Sequence, residues 1–101
     1  MMRVRVLRRP EGAPDGPEAL EVDAQGATIG RSDDADCVLR DPNISRIHAE
    51  LRQGSVGDWE IIDLNSTNGI KVNGRRVTSA RLRDGDQVTV GTTTFRFSTE
   101  R

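Results

Sequence analysis

Ser45, Arg46 and His48 stand close together in the segment DPNISRIHAE, which covers residues 41–50. His48 is the single histidine of the sequence and follows the serine by three positions. A serine near a histidine can be a nucleophile with its general base, part of a phosphate clamp, or a loop residue that bonds to its own backbone. The rest of the sequence has to distinguish these three possibilities.

Two further segments carry polar residues that a plain β-sheet protein does not require. Gly30-Arg31 closes a predicted strand, and NSTNG, residues 65–69, places Ser66 and Thr67 side by side. Arginine and the hydroxyls supply a bidentate fork and several donors, which are what a phosphate dianion requires. Arg46 would add positive charge. No segment is specific alone, but the three together favour an oxyanion site.

Two rival functions come from other classes. A hydrolase would use Ser45 with His48 and Asp63, but no Gly-x-Ser-x-Gly elbow surrounds the serine and no oxyanion donor is evident. One histidine and one cysteine also offer no metal-ligand cluster. The second rival is a β-sandwich that binds a partner through a sheet face without any phosphate, and an unmodified partner that bound as tightly would favour it.

The composition limits the remaining choices. The length of 101 residues predicts a single domain over residues 1–101. The chain ends shortly after its last apolar alternation, as a domain cut from a longer protein would also do. A net charge of −1 argues against nucleic acid as a partner. Cys37 stands alone, so we expect no internal disulfide and a small buried side chain.

No segment predicts export or membrane insertion. The first twelve residues interleave charges with valines instead of forming the apolar stretch of a signal peptide. No run approaches the roughly 18 apolar residues that suggest a membrane span. We therefore expect a cytoplasmic protein, which a partner can bring to the inner face of the membrane.

Period-two alternation recurs along the chain and helical periodicity does not. The pattern predicts ten to eleven short strands at the spacing of a sandwich or barrel, and hence an all-β, two-sheet sandwich with its binding loops at one end. Asn73-Gly74 predicts a tight hairpin turn. The predicted strands are VRVLR, EALEVD, ATIGR, CVLR, IHAELRQ, DWEIIDL, IKV, RRV, ARL, QVTV and TTFRFS.

Three local expectations follow from this pattern. Residues 10–17, PEGAPDGP, form a loop between the first two strands. Trp59 belongs to the core. In IHAELRQ, the alternation places Ala49 and Leu51 on one face of a strand and His48 on the opposite, polar face.

Four segments of the chain together resemble the forkhead-associated (FHA) family, a phosphothreonine-binding β-sandwich. They cover nearly everything between residues 27 and 97 in the family's order and spacing. The likeness is strongest to bacterial FHA domains tied to Ser/Thr kinase signalling. The matching segments are IGR at 29–31, ISRIHAEL at 44–51, IIDLNSTNGIKVNG at 61–74 and LRDGDQVTVG at 82–91.

The resemblance implies a role for each matching position. It implies no catalytic residue, metal or cofactor. Asn43 occupies a variable position that helps choose the peptide side chain three after the phosphothreonine, so that preference is not inherited. The implied roles are phosphate binding for Arg31, Ser45, Arg46 and Thr67, peptide-backbone binding for Asn68, and loop structure for Gly30, His48 and Gly69.

The implied partner is a threonine-phosphorylated protein, either a substrate or an autophosphorylated segment of a Ser/Thr kinase. The family holds the threonine methyl in a small pocket, which in this chain would lie near Asn68, Gly69 and Ile70. We therefore expect phosphothreonine to be preferred to phosphoserine. His48 is expected to bond neighbouring loop backbone and not the ligand.

Overall fold

The computed structural model of the chain describes residues 2–8, 19–23 and 25–99. The predicted loop over residues 10–17 lies outside the described residues. Within them the chain forms eleven strands: β1 Met2–Arg8, β2 Ala19–Val22, β3 Ala27–Gly30, β4 Cys37–Val38, β5 Ala49–Gln53, β6 Trp59–Asp63, β7 Ile70–Val72, β8 Arg75–Val77, β9 Ser79–Leu82, β10 Gln87–Val90 and β11 Thr93–Thr99.

The strands form two sheets, which confirms the predicted all-β sandwich. The six-stranded sheet has the order β2-β1-β11-β10-β7-β8, and the five-stranded sheet has the order β4-β3-β5-β6-β9. β3 and β4 pair in parallel, and the other pairings are antiparallel. β8 and β9 follow each other in the chain and are edge strands of different sheets, so the chain crosses between the sheets there.

Period-two alternation sends apolar side chains between the two sheets. In β11, Phe95 and Phe97 are fully buried while Arg96 between them is exposed. Trp59 is buried as predicted and meets Phe97 edge to face, with ring centroids 6.3 Å apart. The core therefore combines these few aromatic rings with Val, Ile and Leu side chains.

Cys37 is a buried side chain in β4, as predicted. Burial, together with the negative charge of Asp36, raises the pKa of its thiol to about 11. A thiol with this pKa stays protonated near neutral pH and is a poor nucleophile.

The hairpin between β7 and β8 has the predicted turn. Asn73 and Gly74 both have positive φ angles, 51° and 83°, which a type I′ turn requires at its two central positions. The resulting register pairs Ile70 with Val77 and Val72 with Arg75.

One local prediction is wrong. β5 begins at Ala49, so His48 precedes the strand, and its side chain is fully buried instead of lying on the polar face. The ring is buried because hydrogen bonds hold it between the loop of Ser45 and the loop of Gly69.

Four connections between strands meet at one end of the sandwich. Backbone hydrogen bonds join them: Arg31 N–H donates to Ser45 O, and Leu64 N–H donates to His48 O, both at 3.0 Å. The buried carboxylate of Asp41 joins the fourth connection, because it accepts hydrogen bonds from Thr92. The four connections are residues 31–36, 39–48, 64–69 and 91–92.

Candidate functional site

Arg31 follows β3 and is held by the loop that precedes β5. Its Nε donates a 3.0 Å hydrogen bond to the carbonyl of Ile44, and its backbone N–H donates to Ser45 O. The side chain is exposed. A guanidinium has five N–H donors, so the bond to Ile44 fixes the group and leaves donors for an anion.

Gly30 is required for this arrangement. A Cβ added at residue 30 would lie 2.0 Å from the carbonyl oxygen of Arg46, which is far inside van der Waals contact. The backbone of the second loop therefore passes directly over Gly30. The same approach lets Ser32 N–H donate to Arg46 O at 3.1 Å. The role expected of Gly30 thus has a direct steric reason.

Ser45 links the second loop to the third. Its hydroxyl oxygen accepts a 3.1 Å hydrogen bond from the backbone N–H of Thr67. An oxygen that already accepts a bond is a better donor through its own proton. The hydroxyl of Ser45 is therefore well suited to donate to an oxyanion, while Thr67 and Arg46 carry exposed side chains beside it.

Asn68 also connects these two loops. Its Nδ2 donates a 2.8 Å hydrogen bond to the carbonyl of Asn43, and the side chain remains exposed. The amide is thereby fixed in orientation at the surface of the site. Its carbonyl oxygen is the atom suited to accept a hydrogen bond from a peptide N–H.

His48 lies behind the loops, where both ring nitrogens are used. Nδ1 accepts a 3.0 Å hydrogen bond from Ser45 N–H, and Nε2 lies 2.7 Å from the carbonyl oxygen of Gly69. A bond accepted at Nδ1 assigns the proton to Nε2, which then donates to Gly69. The imidazole joins the loop that carries Ser45 to the loop that carries Thr67 and Asn68.

Asp41 is a second buried polar group behind the loops, and sequence reasoning missed it. Oδ1 accepts a 2.8 Å bond from Asn43 N–H, while Oδ2 accepts bonds from Thr92 N–H and from the hydroxyls of Thr92 and Thr93. Burial raises the pKa of this carboxyl, but these four hydrogen bonds outweigh burial and hold the pKa below its usual value. The Asp-Pro-Asn sequence, a common turn signal, could have indicated the bond to Asn43.

The third loop is organised from inside by Asp63 and Ser66. The hydroxyl of Ser66 donates to Asp63 Oδ1 and accepts a 2.9 Å bond from Gly69 N–H. Since this hydroxyl is engaged within the loop, the neighbouring Thr67 is the better candidate for contact with a ligand. Gly69 itself has a φ of 74°, which glycine adopts at no steric cost.

Arg76 is a second residue that sequence reasoning did not select. A Cβ added at Gly69 would lie 3.0 Å from both Nε and Nη2 of Arg76, so the guanidinium lies against the third loop. Arg76 is opposite Lys71 in the hairpin, and both side chains are exposed. These cations add positive charge beside Asn68 and Gly69.

The hydrolase geometry is not assembled. A base for Ser45 would need a ring nitrogen of His48 facing the serine hydroxyl, but Nδ1 bonds the serine backbone and Nε2 bonds Gly69. Asp63 bonds Ser66 and not the histidine. The arrangement has the parts of an anion-binding site: a fixed guanidinium, an activated hydroxyl, exposed hydroxyl and amide side chains, and a second arginine.

Two further features are absent from the described residues. These residues contain no group of three histidine, cysteine, aspartate or glutamate side chains that could hold a metal ion. They also contain no helix that is long and apolar enough to cross a membrane.

Comparison with known proteins identifies the family. Residues 27–91 match the FHA domain family. The chain belongs to this family. The match covers the loops that carry Arg31, Ser45 and Thr67, and leaves out β1, β2 and β11 of the six-stranded sheet.

Curated relatives include proteins of Mycolicibacterium and Corynebacterium. The glycogen accumulation regulator GarA of Mycolicibacterium smegmatis is 37% identical over 93 residues, which cover 80% of this chain and 58% of GarA. An oxoglutarate dehydrogenase inhibitor of Corynebacterium jeikeium is 35% identical over 94 residues, covering 80% of this chain and 64% of that protein. The chain thus spans less than two thirds of the length of these relatives.

Solved structures agree with the sequence relatives. The FHA domain of FhaA, in a complex with the intracellular domain of Rv3910, is 29% identical with a TM-score of 0.79, over 96% of this chain and 99% of that one. Mycobacterium tuberculosis EmbR, in a complex with a phosphopeptide, is 28% identical with a TM-score of 0.81, over 96% of this chain and 24% of EmbR. The present chain, as an FHA domain, is a phosphothreonine-dependent recognition module of Ser/Thr kinase signalling.

Proposed function

We propose that the phosphate of a phosphothreonine docks among Arg31, Ser45, Arg46 and Thr67, while Asn68 binds the main chain of the peptide. The observation that carries this assignment is that Arg31 and Ser45 are both held in position by hydrogen bonds between loops. Each is held by a hydrogen bond from or to a neighbouring loop, and each keeps donors for a ligand. Bonds to a dianion are charge-assisted and are about twice as strong as neutral ones.

The domain binds its partner without chemical conversion. The partner is a threonine-phosphorylated protein, a substrate or an autophosphorylated segment of a Ser/Thr kinase, and the encounter takes place in the cytoplasm, in some cases at the inner face of the membrane. Only a short segment becomes ordered on binding, so affinity is modest, on the order of micromolar or about −8 kcal/mol. GarA and the oxoglutarate dehydrogenase inhibitors are regulators by name, which supports a binding role.

Phosphothreonine is preferred to phosphoserine. Both residues carry the same dianion, so the clamp of Arg31, Ser45 and Thr67 does not distinguish them. The threonine methyl enters a pocket beside Gly69 and Ile70, and burying one methyl contributes about 0.8 kcal/mol. We expect phosphoserine to bind several-fold more weakly and unphosphorylated threonine to lose nearly all affinity.

Fluorescence polarisation with three peptides that differ only at this residue tests the proposal. Salt is held constant because the clamp is electrostatic. Equal affinities for the two phosphopeptides would contradict the methyl pocket but not the phosphate clamp. Equal affinity for all three peptides would contradict both the methyl pocket and the phosphate clamp.

A further inference from the structure

A second concave surface, which we call the edge groove, lies along the open edge of the sandwich. It lies between the edge strands β8 and β9 and has a volume of about 500 Å³, within the range of about 300–1,000 Å³ typical of ligand sites. β7 leads from the third binding loop to the Asn73-Gly74 turn, and the groove reaches Asn73. It is therefore separate from the phosphate site.

The floor of the edge groove is apolar. Val72, Val77 and Ala80 line it, and each is a partly buried side chain packed against the core. They come from both sheets: Val72 and Val77 belong to the six-stranded sheet and Ala80 to the five-stranded one. The groove is thus the place where the two sheets part and the core reaches the surface.

The charged lining is mainly basic. Three arginines and one aspartate give it a net charge of +2, in a protein whose net charge is −1. Arg81 has an acidic neighbour, since its Nε lies 3.3 Å from the carboxylate of Asp58. Within the described part of the chain, Arg75 and Arg83 form no ion pair. Once Asp58 is counted with the lining, one net positive charge remains, and the lining arginines that form no ion pair among the described residues are Arg75 and Arg83.

Asp86, the acidic residue of the lining, is already engaged. Its Oδ1 accepts a 3.1 Å hydrogen bond from Asn73 Nδ2, and its Oδ2 accepts a 2.7 Å bond from Arg83 N–H. These bonds tie the carboxylate to the turn before β10. They leave the guanidinium groups of Arg75 and Arg83 to a ligand from outside.

The strands beside the groove can accept an extended chain. In the described sheets β8 pairs with β7 alone and β9 pairs with β6 alone, so each strand has one side without a strand partner. Extended peptides bind such edges by adding a strand. A second copy of this chain would bring arginine against arginine, which opposes self-association. Charge complementarity instead favours an acidic segment.

We propose that the edge groove binds an acidic, extended segment of a partner protein, independently of phosphothreonine. Apolar side chains of the segment face Val72, Val77 and Ala80, and its alternate carboxylates face Arg75 and Arg83. Period-two geometry makes such an alternating segment the best fit to an apolar floor with basic walls. This contact is additional to recognition of the phosphate.

The probe is a fluorescein-labelled peptide of eight residues with alternating glutamate and valine and no phosphate. Its anisotropy is titrated with the whole chain, beside a peptide in which glutamine replaces glutamate. We expect saturable binding of the acidic peptide and at least tenfold weaker binding of the glutamine peptide. A thymidine oligonucleotide of similar length is the polyanion control, and binding as tight as that of the peptide would overturn the proposal.

The double variant Arg75→Gln with Arg83→Gln should weaken the acidic peptide at least tenfold and leave phosphothreonine-peptide affinity unchanged, which also shows that it folds. If the double variant fails to fold, Arg75→Gln alone should weaken the peptide several-fold. The matched control is Arg52→Gln with Arg96→Gln, two exposed cations outside the groove, which should bind the peptide like the parent chain.

Arg31→Ala separates this proposal from the phosphate site. It should lose the phosphothreonine peptide and keep the acidic peptide. Loss of the acidic peptide in Arg31→Ala would show that carboxylates occupy the phosphate clamp and would overturn the proposal. Unchanged affinity in the groove variant, or no binding by the parent chain, would overturn it as well.

Discussion

The front and the back of the binding loops hold their polar groups in different ways. At the front, Arg31, Arg46 and Thr67 are exposed, and Arg31 uses one donor to fix its position. At the back, Asp41 and His48 are fully buried, and each bonds two or more groups. Buried polar groups that are fully bonded rigidify a structure, whereas losing a bond to one of them is costly.

The difference assigns stability and binding to different residues. Removal of a front residue should cost affinity and little stability, because water replaces what is lost. Removal of a back residue should cost both, since the loops it joins would separate and a buried group would lose its partner. The described residues contain no buried side-chain nitrogen or oxygen without a hydrogen-bond partner, so every such deletion starts from a satisfied network.

The largest effect on stability is expected for Gly30→Ala. The added Cβ would lie 2.0 Å from the backbone oxygen of Arg46, and backbone cannot move as a side-chain tip can. We expect a loss of more than about 3 kcal/mol in the free energy of unfolding, measured by chemical denaturation. Gly74→Ala is a useful comparison, because a Cβ there meets no atom within 4 Å although its φ is positive. Gly30 has no positive φ, so a loss at Gly30 no larger than the loss at Gly74 would contradict the steric role of the close approach.

His48→Ala should lower stability and phosphopeptide affinity together. Ser45 N–H and the carbonyl of Gly69 would lose their buried partner, which costs about 1–3 kcal/mol of unfolding free energy. Thermal melting and titration calorimetry on one sample test both effects. An unchanged melting temperature with lost binding would contradict the bracing role and indicate direct contact with the ligand.

Asp41→Asn should have a smaller effect that depends on pH. The amide cannot accept at both positions, so at least one donor among Asn43, Thr92 and Thr93 is left unpaired, at a cost of about 1–2 kcal/mol near neutral pH. Because the folded pKa of Asp41 is lowered, its stabilising effect is full above the unfolded pKa of about 3.8 and is lost as pH falls through the folded pKa.

Denaturant unfolding from pH 7 down to pH 2 measures this dependence. The difference between the parent chain and Asp41→Asn should be constant above pH 5 and should shrink below pH 3.8. Asp34→Asn, a substitution at an exposed aspartate, is the matched control and should show little difference at any pH. A difference for Asp41→Asn that stays constant to pH 2 would contradict the lowered pKa.

The sequence predicted what depends on near neighbours. Strand alternation predicted β11 as a strand, and Asn73-Gly74 predicted the turn between β7 and β8, because both signals act within a few residues. Asp41 was missed because Thr92 and Thr93 lie 51 and 52 positions away. The burial of His48 was missed because its partner Gly69 lies 21 positions away.

The residues of the candidate site were predicted from family resemblance, whereas the hydrogen bonds that hold them in position were visible only in the structure. No sequence signal placed Arg31 Nε on Ile44 O or Thr67 N–H on Ser45 Oγ, since each bond depends on how two loops meet. Arg76 was missed for the same reason, because its contact with Gly69 follows from the register of the β7–β8 hairpin.

The central claim is that the front of the loops binds phosphate without contributing to the fold, and Arg31→Ala tests it most directly. Titration calorimetry with a phosphothreonine peptide should show no measurable binding. Unfolding free energy should stay within about 0.5 kcal/mol of the parent chain. Binding that survives this substitution would contradict the assignment of Arg31, and binding lost only together with the fold would contradict the separation of front from back.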